Sequence, residues 1–328
     1  MSVEYKRIEN TIGKLGYYLS DHKCICVSVS GGADSDIIVH LICTYFRQYL
    51  SKIHFVFANT GIEYRATLQH LDYLQERYGI QIVEVRGMPI PVAVKKYGTP
   101  FISKIFAEYI GRLQKHRFTW EDGSMPDLWA RFPKAKVAIR FWTNDWGERS
   151  RYSINRVKWL KEFLMFKKPT VPISSMCCLK SKEGPLLKYQ KSVKADLYIS
   201  GERKAEGGVR AGSHTDCFER AKKAKIDHYM PLWFWNDETK AYYKTHERIK
   251  NSDCYEKYGL RRTGCVGCPF GLDLWEELGI MAKYEPQCFK LCNHVFRESY
   301  ELRKEFDDFR LKCKTNEKIS KQQKGETK

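Results

Sequence analysis

The sequence has no apolar run approaching the roughly 20 residues that a membrane helix needs, so a helical membrane protein is excluded. Its first ten residues hold no apolar stretch of signal-peptide type, and a cytoplasmic protein with no membrane partner is expected. No repeat of fixed period is visible. Acidic residues are scarce against basic ones, 39 Asp and Glu facing 57 Lys and Arg, for a net charge of +18. That imbalance points to an anionic partner, either a nucleotide or a nucleic acid. What the chain does have is 328 residues, 43% hydrophobic and 14% aromatic, which excludes wholesale disorder and suffices for about two domains of roughly 150 residues. It also has 12 Cys. In a reducing compartment these point to metal or redox chemistry rather than to a disulfide framework.

The first 85 residues read as βαβαβ. Residues 24–30 form a β-rich run ending on Gly31-Gly32, and Ile37, Ile38, Leu41, Ile42, Tyr45, Phe46 and Tyr49 follow at helical spacing. Residues 53–58 and 80–85 read as strands, with a helix marked by Leu68, Leu71 and Leu74 between them. Strands at 195–201 and 227–232 return to the sheet. The expected class is therefore α/β, a doubly wound parallel sheet, with a Cys-rich, mainly helical C-terminal lobe. The expected domains are a nucleotide-binding unit over 1–240 and a helical lobe over 241–313. Within the first, residues 86–170 are an insertion lying over the sheet and a candidate substrate surface, with helical pieces at 102–116 and 152–166. Residues 314–328, with five Lys and two Glu, are expected to be a disordered basic tail.

Ser30-Gly31-Gly32-Ala33-Asp34-Ser35 lies between a strand and a helix. Two glycines let backbone amides approach phosphate oxygens, and the helix N-terminus adds partial positive charge. Ser30 and Ser35 offer hydroxyl donors, and Asp34 is a candidate helix cap or Mg²⁺ ligand. Cys177-Cys178 and Cys265-X-X-Cys268 form a second constellation, four thiolates able to hold a tetrahedral Zn²⁺ or a [4Fe–4S] cluster. Adjacent cysteines suit zinc less well. Cys254, near the second pair, is a candidate sulfur-carrying or resolving thiol.

The hexapeptide resembles the pyrophosphate loop (Ser-Gly-Gly-X-Asp-Ser) of the ATP pyrophosphatases, in the adenine-nucleotide α-hydrolase superfamily. Asn59-Thr60-Gly61 resembles the Asp-Thr-Gly element of the phosphoadenosine-phosphosulfate (PAPS) reductases, with Asn59 replacing the family's Asp. Cys177-Cys178-Leu179-Lys180-Ser181-Lys182-Glu183-Gly184-Pro185-Leu186 and the segment from Arg261 to Gly271 resemble the two halves of the cluster site of assimilatory adenylyl-sulfate reductases. Ser200-Gly201-Glu202-Arg203 through Arg210 is similar to the family's Gly-X-Arg loop, and Pro231-Leu232-Trp233-Phe234-Trp235 to its Pro-Leu-X-X-Trp element.

The resemblance implies that Ser30, Gly31, Gly32, Asp34, Ser35, Asn59, Thr60, Gly61, Arg203 and Arg210 bind the nucleotide. It implies that Cys177, Cys178, Cys265 and Cys268 ligate [4Fe–4S], with Zn²⁺ the alternative, and that Asp34, Lys182 and Arg203 serve catalysis. Trp233 and Trp235 read as core residues.

Two departures separate the functions open to such a chain. The full loop implies ATP, with Mg²⁺, whereas sulfate reductases carry a degraded loop because their ligand is already activated. The Glu-Cys-Gly-His-like tail of those reductases is missing, and the tail region offers only Cys313 between two lysines. The combination resembles the sulfur-transfer relatives, among them DNA-phosphorothioation proteins and tRNA thiolation enzymes. The expected activity is cleavage of ATP between the α- and β-phosphates to activate a substrate, coupled to cluster-dependent sulfur transfer. Expected partners are ATP, a sulfur donor such as a cysteine desulfurase, and a nucleic-acid substrate, with an oligomer left open. A reductase of PAPS or adenylyl sulfate is the second expectation. A non-catalytic nucleic-acid-binding protein with a structural metal is the third.

Overall fold

A computed structural model describes residues 3–207, 212, 214–221 and 226–325, with residues 319–325 described by backbone alone. Arg210 therefore lies outside the described residues. The chain divides into two compact units. The first comprises residues 1–89, 180–266 and 279–288, and the second 90–179, 267–278 and 289–328. Among the described residues no helix is long and apolar enough to cross a membrane.

The first unit is built on a six-stranded sheet of β1 (Ile25–Ser28), β2 (Ile53–Asn59), β3 (Ile82–Arg86), β4 (Leu197–Ile199), β5 (Phe218–Glu219) and β6 (Asp227–Tyr229). The order is β3-β2-β1-β4-β6-β5, with β5 alone antiparallel. Side chains alternate across the sheet as a period of two requires. Ile25, Val27, Phe55, Phe57, Leu197 and Ile199 face a large core that takes in α1 (Val3–Asp21), α2 (Ala33–Tyr45) and α3 (Arg65–Tyr78). Cys26 and Val56 face the other way, onto Leu186 of the helix Gly184–Ser192. Helices thus cover both faces, and the class is α/β with a doubly wound, mostly parallel sheet. The order reverses between β1 and β4, and open α/β sheets bind ligands at the strand C-termini beside such a switch point.

Several elements depart from the sequence reading. Helix α1 was not expected, although Ile8, Ile12, Leu15 and Leu19 carry its apolar stripe. Strand β6 stops at Tyr229 rather than continuing to 232, because Pro231 has no N–H for the ladder. The 152–166 piece is not one helix: Trp159, at φ +64, separates the short turn Ile154–Arg156 from the helix Leu160–Lys167.

The domain plan also changes. Residues 241–266 belong with the sheet, while 267–278 and 289–313 belong with the segment 90–179. That second unit has a helical core of its own, including Phe101, Phe141, Trp142, Phe163 and Phe306. The last helix, Arg297–Gly325, continues through most of the expected disordered tail. Lys, Glu and Gln are good helix formers, and neither Pro nor Gly interrupts them before Gly325.

Trp233 and Trp235 are buried in the first core, where Trp235 Nε1 donates to Thr11 Oγ1 at 2.8 Å. Replacing Trp235 by Ala should lower unfolding free energy by about 3–5 kcal/mol in urea titrations, the range for emptying a large aromatic site. Trp235→Phe, which keeps most of the ring and loses the hydrogen bond, should cost less than half as much.

Candidate functional site: the carboxyl edge of the sheet

The residues singled out in the first unit gather at the C-terminal ends of β1, β2, β3 and β4. Leaving β1, the chain turns at Gly31, whose φ of +66 a side chain would strain. Gly32, in extended conformation, is the residue that caps α2. Ser35 closes the loop: its Oγ accepts from Gly32 N–H at 3.2 Å and donates to the Gly32 carbonyl at 2.7 Å. The hydroxyl expected to face a phosphate is here spent on the loop itself. Around Gly32 lies a ring of other hydroxyls. A Cβ at that position would stand 3.1 Å from Ser30 Oγ, 3.1 Å from Thr263 Oγ1 and 3.2 Å from Tyr255 Oη. Thr263 is two residues before Cys265, so the arm leading to the second cysteine pair reaches the glycine loop.

Asp34 is not the helix cap. It sits in the first turn of α2, and its Oδ1 lies 2.9 Å from Arg203 Nε and 2.9 Å from Lys240 Nζ. The contact with Arg203 is an ion pair without hydrogen-bond alignment. Arg203 Nη1 also donates to Asp237 Oδ1 at 3.0 Å. Both Asp237 and Lys240 come from the first turn of the helix Asp237–His246, which Asn236 caps by accepting from Thr239 N–H at 2.9 Å. Gly201 makes the approach of the β4 loop to α2 feasible, since a Cβ there would stand 3.1–3.2 Å from Asp34 and Ser35 backbone and Cβ atoms. Below this layer Asp36 is completely buried, with Oδ2 2.8 Å from His70 Nε2. Burial pushes its carboxyl above the ordinary value and the His70 hydrogen bond opposes the shift.

Asn59, Thr60 and Gly61 line a cavity of about 340 Å³ with Glu63, Arg86 and Gly87. Asn59 Oδ1 accepts from Gly61 N–H at 2.8 Å, holding a turn in which Gly61 has φ +84. Glu63 Oε1 accepts from the Thr60 amide at 3.0 Å and the Thr60 hydroxyl at 2.7 Å. Burial raises the Glu63 carboxyl, while those bonds and the positive charge of Lys182 pull it back. Gly87 has no room for a side chain, because a Cβ would collide with Pro185 Cγ and the Lys180 carbonyl. That close fit sets the segment carrying Lys182 against the end of β3.

Cys177 is buried and Cys178 half-buried in the helical turn Met176–Cys178 of the second unit. Cys265 is half-buried in the first unit. Cys268, half-buried in the second, accepts from Gly271 N–H at 2.8 Å through its carbonyl. None of the twelve cysteines is in a disulfide. Cys254 fits its expected role as a reactive thiol badly. It is fully buried and packs on Thr67 Oγ1 at 3.6 Å, and burial raises its thiol. Lys240, Thr263 and Tyr255 escaped sequence reading. Lys240 and Tyr255 sit in no motif, and Thr263 was seen only as a neighbour of the cysteines.

An α/β sheet with a glycine loop at its switch point, flanked by buried and half-buried cations, defines a nucleotide-binding class. Within that class, the phosphoadenosine phosphosulfate reductase domain matches residues 24–109 and 134–270, and the chain belongs to this family. An uncharacterized protein of Methanocaldococcus jannaschii is 37% identical over 93 residues, which is 28% of this chain and 18% of that protein's length. Three solved structures are similar at low identity. A PAPS reductase from Candida auris, solved as a phosphate complex, has 10% identity and a TM-score of 0.43, covering 78% of this chain and 87% of its own. A U34-tRNA thiolase from Methanococcus maripaludis, solved with its [4Fe-4S] cluster, has 12% identity and a TM-score of 0.36, covering 92% and 80%. An NH3-dependent NAD synthetase from Campylobacter jejuni has 11% identity and a TM-score of 0.34, covering 92% and 96%.

The raised Glu63 carboxyl has a consequence for stability. The folded state holds that proton more tightly than the unfolded chain does. Its contribution is therefore fully present below the ordinary glutamate value and is lost as pH rises through the folded one. Unfolding titrations across this window should show wild-type stability falling relative to Glu63→Gln as pH increases. Parallel curves would contradict the assignment.

Proposed function

We propose that the chain binds ATP on the loop of Ser30, Gly31, Gly32, Asp34 and Ser35, cleaves it between the α- and β-phosphates, and couples this to sulfur transfer. The observation that carries the reading is the complete glycine loop at the switch point, with Arg203 and Lys240 gathered on Asp34 beside it. In the activating step a substrate oxygen forms a bond to the α-phosphorus. The bond from that phosphorus to the bridging oxygen breaks, and pyrophosphate leaves with the electron pair. Arg203 and Lys240 stabilise the charge that develops on the leaving group, as preorganised cations do. Asp34 holds both cations until the nucleotide arrives, and Arg210 is assigned to the same phosphates. Asn59, Thr60 and Gly61 shape the neighbouring nucleotide subsite, and Lys182 faces the substrate from the Glu63 side. Because Asp34 Oδ1 is already held by two cations, Mg²⁺ is taken to enter chiefly on phosphate oxygens.

Cys177, Cys178, Cys265 and Cys268 would hold the [4Fe–4S] cluster, and their donor chemistry fits one: four thiols, one pair on a helical turn and one around a tight Gly267 turn. When bound, the cluster would supply the sulfur-relaying centre; a thiol reductant, oxidised to its disulfide, would release the donor's persulfide sulfur as sulfide, which bonds to the activated atom as AMP leaves with its electron pair. The position of Thr263 on the glycine loop supports a short path from the nucleotide to Cys265. The net charge of +18 supports a nucleic-acid substrate; the DNA-phosphorothioation or tRNA-thiolation kind, with a cysteine desulfurase as sulfur donor in the cytoplasm, is the form proposed. A second reading, reduction of PAPS or adenylyl sulfate to sulfite, is favoured by the family description itself.

Anaerobically purified protein should be brown, with about four irons per chain, and Cys265→Ser should lose most of that iron. ATP should yield AMP and pyrophosphate in the presence of substrate, and Asp34→Ala should slow pyrophosphate release about 100-fold. A colourless protein with one zinc would overturn the cluster, and sulfite formed from PAPS without ATP would establish the second reading instead.

A further inference from the structure

Away from the glycine loop, on the far side of β4, two imidazoles and two carboxylates converge. His214, Glu219 and His228 each present a donor atom, all within 4.8 Å of one another. Glu219 on β5 and His228 on β6 are direct cross-strand partners, so the hairpin itself sets two of the three. His214 Nδ1 lies 2.8 Å from Glu219 Oε1, and its Nε2 lies 3.5 Å from Glu202 Oε2. The rings are held from behind. His214 meets the Trp233 indole edge-on at 5.7 Å, and His228 stacks on Tyr198 at 5.0 Å with Ser200 Oγ 2.9 Å from its Nε2. A neutral His214 has one N–H and cannot donate to both flanking carboxylates. A doubly charged cation taken by Glu219 and the Nδ1 lone pair removes the conflict, because the single N–H then stands on Nε2 and points to Glu202.

We propose that His214, Glu219 and His228 form a binding site for a divalent transition cation of the zinc type, with Glu202 as the acceptor behind His214. Two imidazole nitrogens and carboxylate oxygens suit such an ion, and the packed aromatic and hydroxyl neighbours are the kind of outer support that orients metal-binding histidines. The site is chemically distinct from the cysteine set, since it contains no sulfur. It also has a structural consequence. Glu202 immediately precedes Arg203, so an ion that fixes the His214 N–H on Glu202 ties the loop that carries Arg203 to the β5–β6 hairpin.

Cobalt(II) added to the full-length protein reads this directly, because thiolate ligation gives intense near-ultraviolet charge-transfer bands and nitrogen–oxygen ligation gives only weak visible d–d bands. One equivalent should bind with d–d bands alone. Both His228→Ala and the isosteric Glu219→Gln should weaken that binding by at least about 100-fold. Zn²⁺ should raise the melting temperature of the wild type and leave both variants unmoved, while in chelator Glu219→Gln melts as the wild type does. Unchanged cobalt affinity in Glu219→Gln, or a cobalt spectrum carried wholly by thiolate bands, would show that the cluster is a hydrogen-bonded structural pair and overturn the site.

Discussion

The close approach of the β4 loop to the start of α2 is the constraint on which the rest of the first unit depends. Gly201 meets the backbone of Asp34 and Ser35 at a separation that leaves a Cβ only 3.1–3.2 Å from its neighbours. Because that residue is glycine, Arg203 arrives two positions later within ion-pair distance of Asp34. The switch in strand order opens the crevice, and this contact furnishes it with charge. Gly87 plays the corresponding part at the end of β3, where the lack of a side chain admits the segment that carries Lys182.

The electrostatics are arranged in layers. The loop amides and the amino end of α2 favour an anion, and Arg203 and Lys240 add two full charges to them. In the structure both cations rest on Asp34 rather than standing as bare charge. Asp237 restrains Arg203 from the other side. Deeper in, Asp36 and His70 form a buried pair, which fixes α2 to α3. A half-buried lysine, Lys244, lies within reach of both Asp34 and Asp36, and burial lowers its ammonium, with the charge of Lys240 adding to the effect. The helix Asp237–His246 thus sends two lysines toward the acids of α2, besides Arg203 from the β4 loop and His70 from α3.

Much of this arrangement was legible in the sequence, because it is carried by local chemistry. Alternating buried strands, the helical spacing of Ile37 to Leu41 and the glycine loop all report themselves within a few residues. What was not legible is long-range. Lys240 reaches Asp34 only after the chain has folded over more than half its length, and no local pattern marks it. Strand β5 is two residues long, too short to show periodicity, yet it brings Glu219 opposite His228. Trp159 breaks a helix through a backbone conformation that its residue type disfavours, so propensity pointed the wrong way. The last helix was misread for the opposite reason, since a polar, Lys-rich composition describes a solvated surface whether or not the backbone is helical. The family is equally local in its marks, and the match over residues 24–109 and 134–270 takes in the glycine loop, Cys177, Cys178, Cys265 and Cys268.

The most direct test is a crystal structure with the non-cleavable α,β-methylene analogue of ATP. Its β- and γ-phosphates should lie on the amides of Gly31 to Ser35, with Arg203 and Lys240 turned from Asp34 toward them. A nucleotide bound elsewhere, or one whose phosphates point away from the loop while both cations stay on Asp34, would contradict the assignment of this edge of the sheet as the site of ATP cleavage.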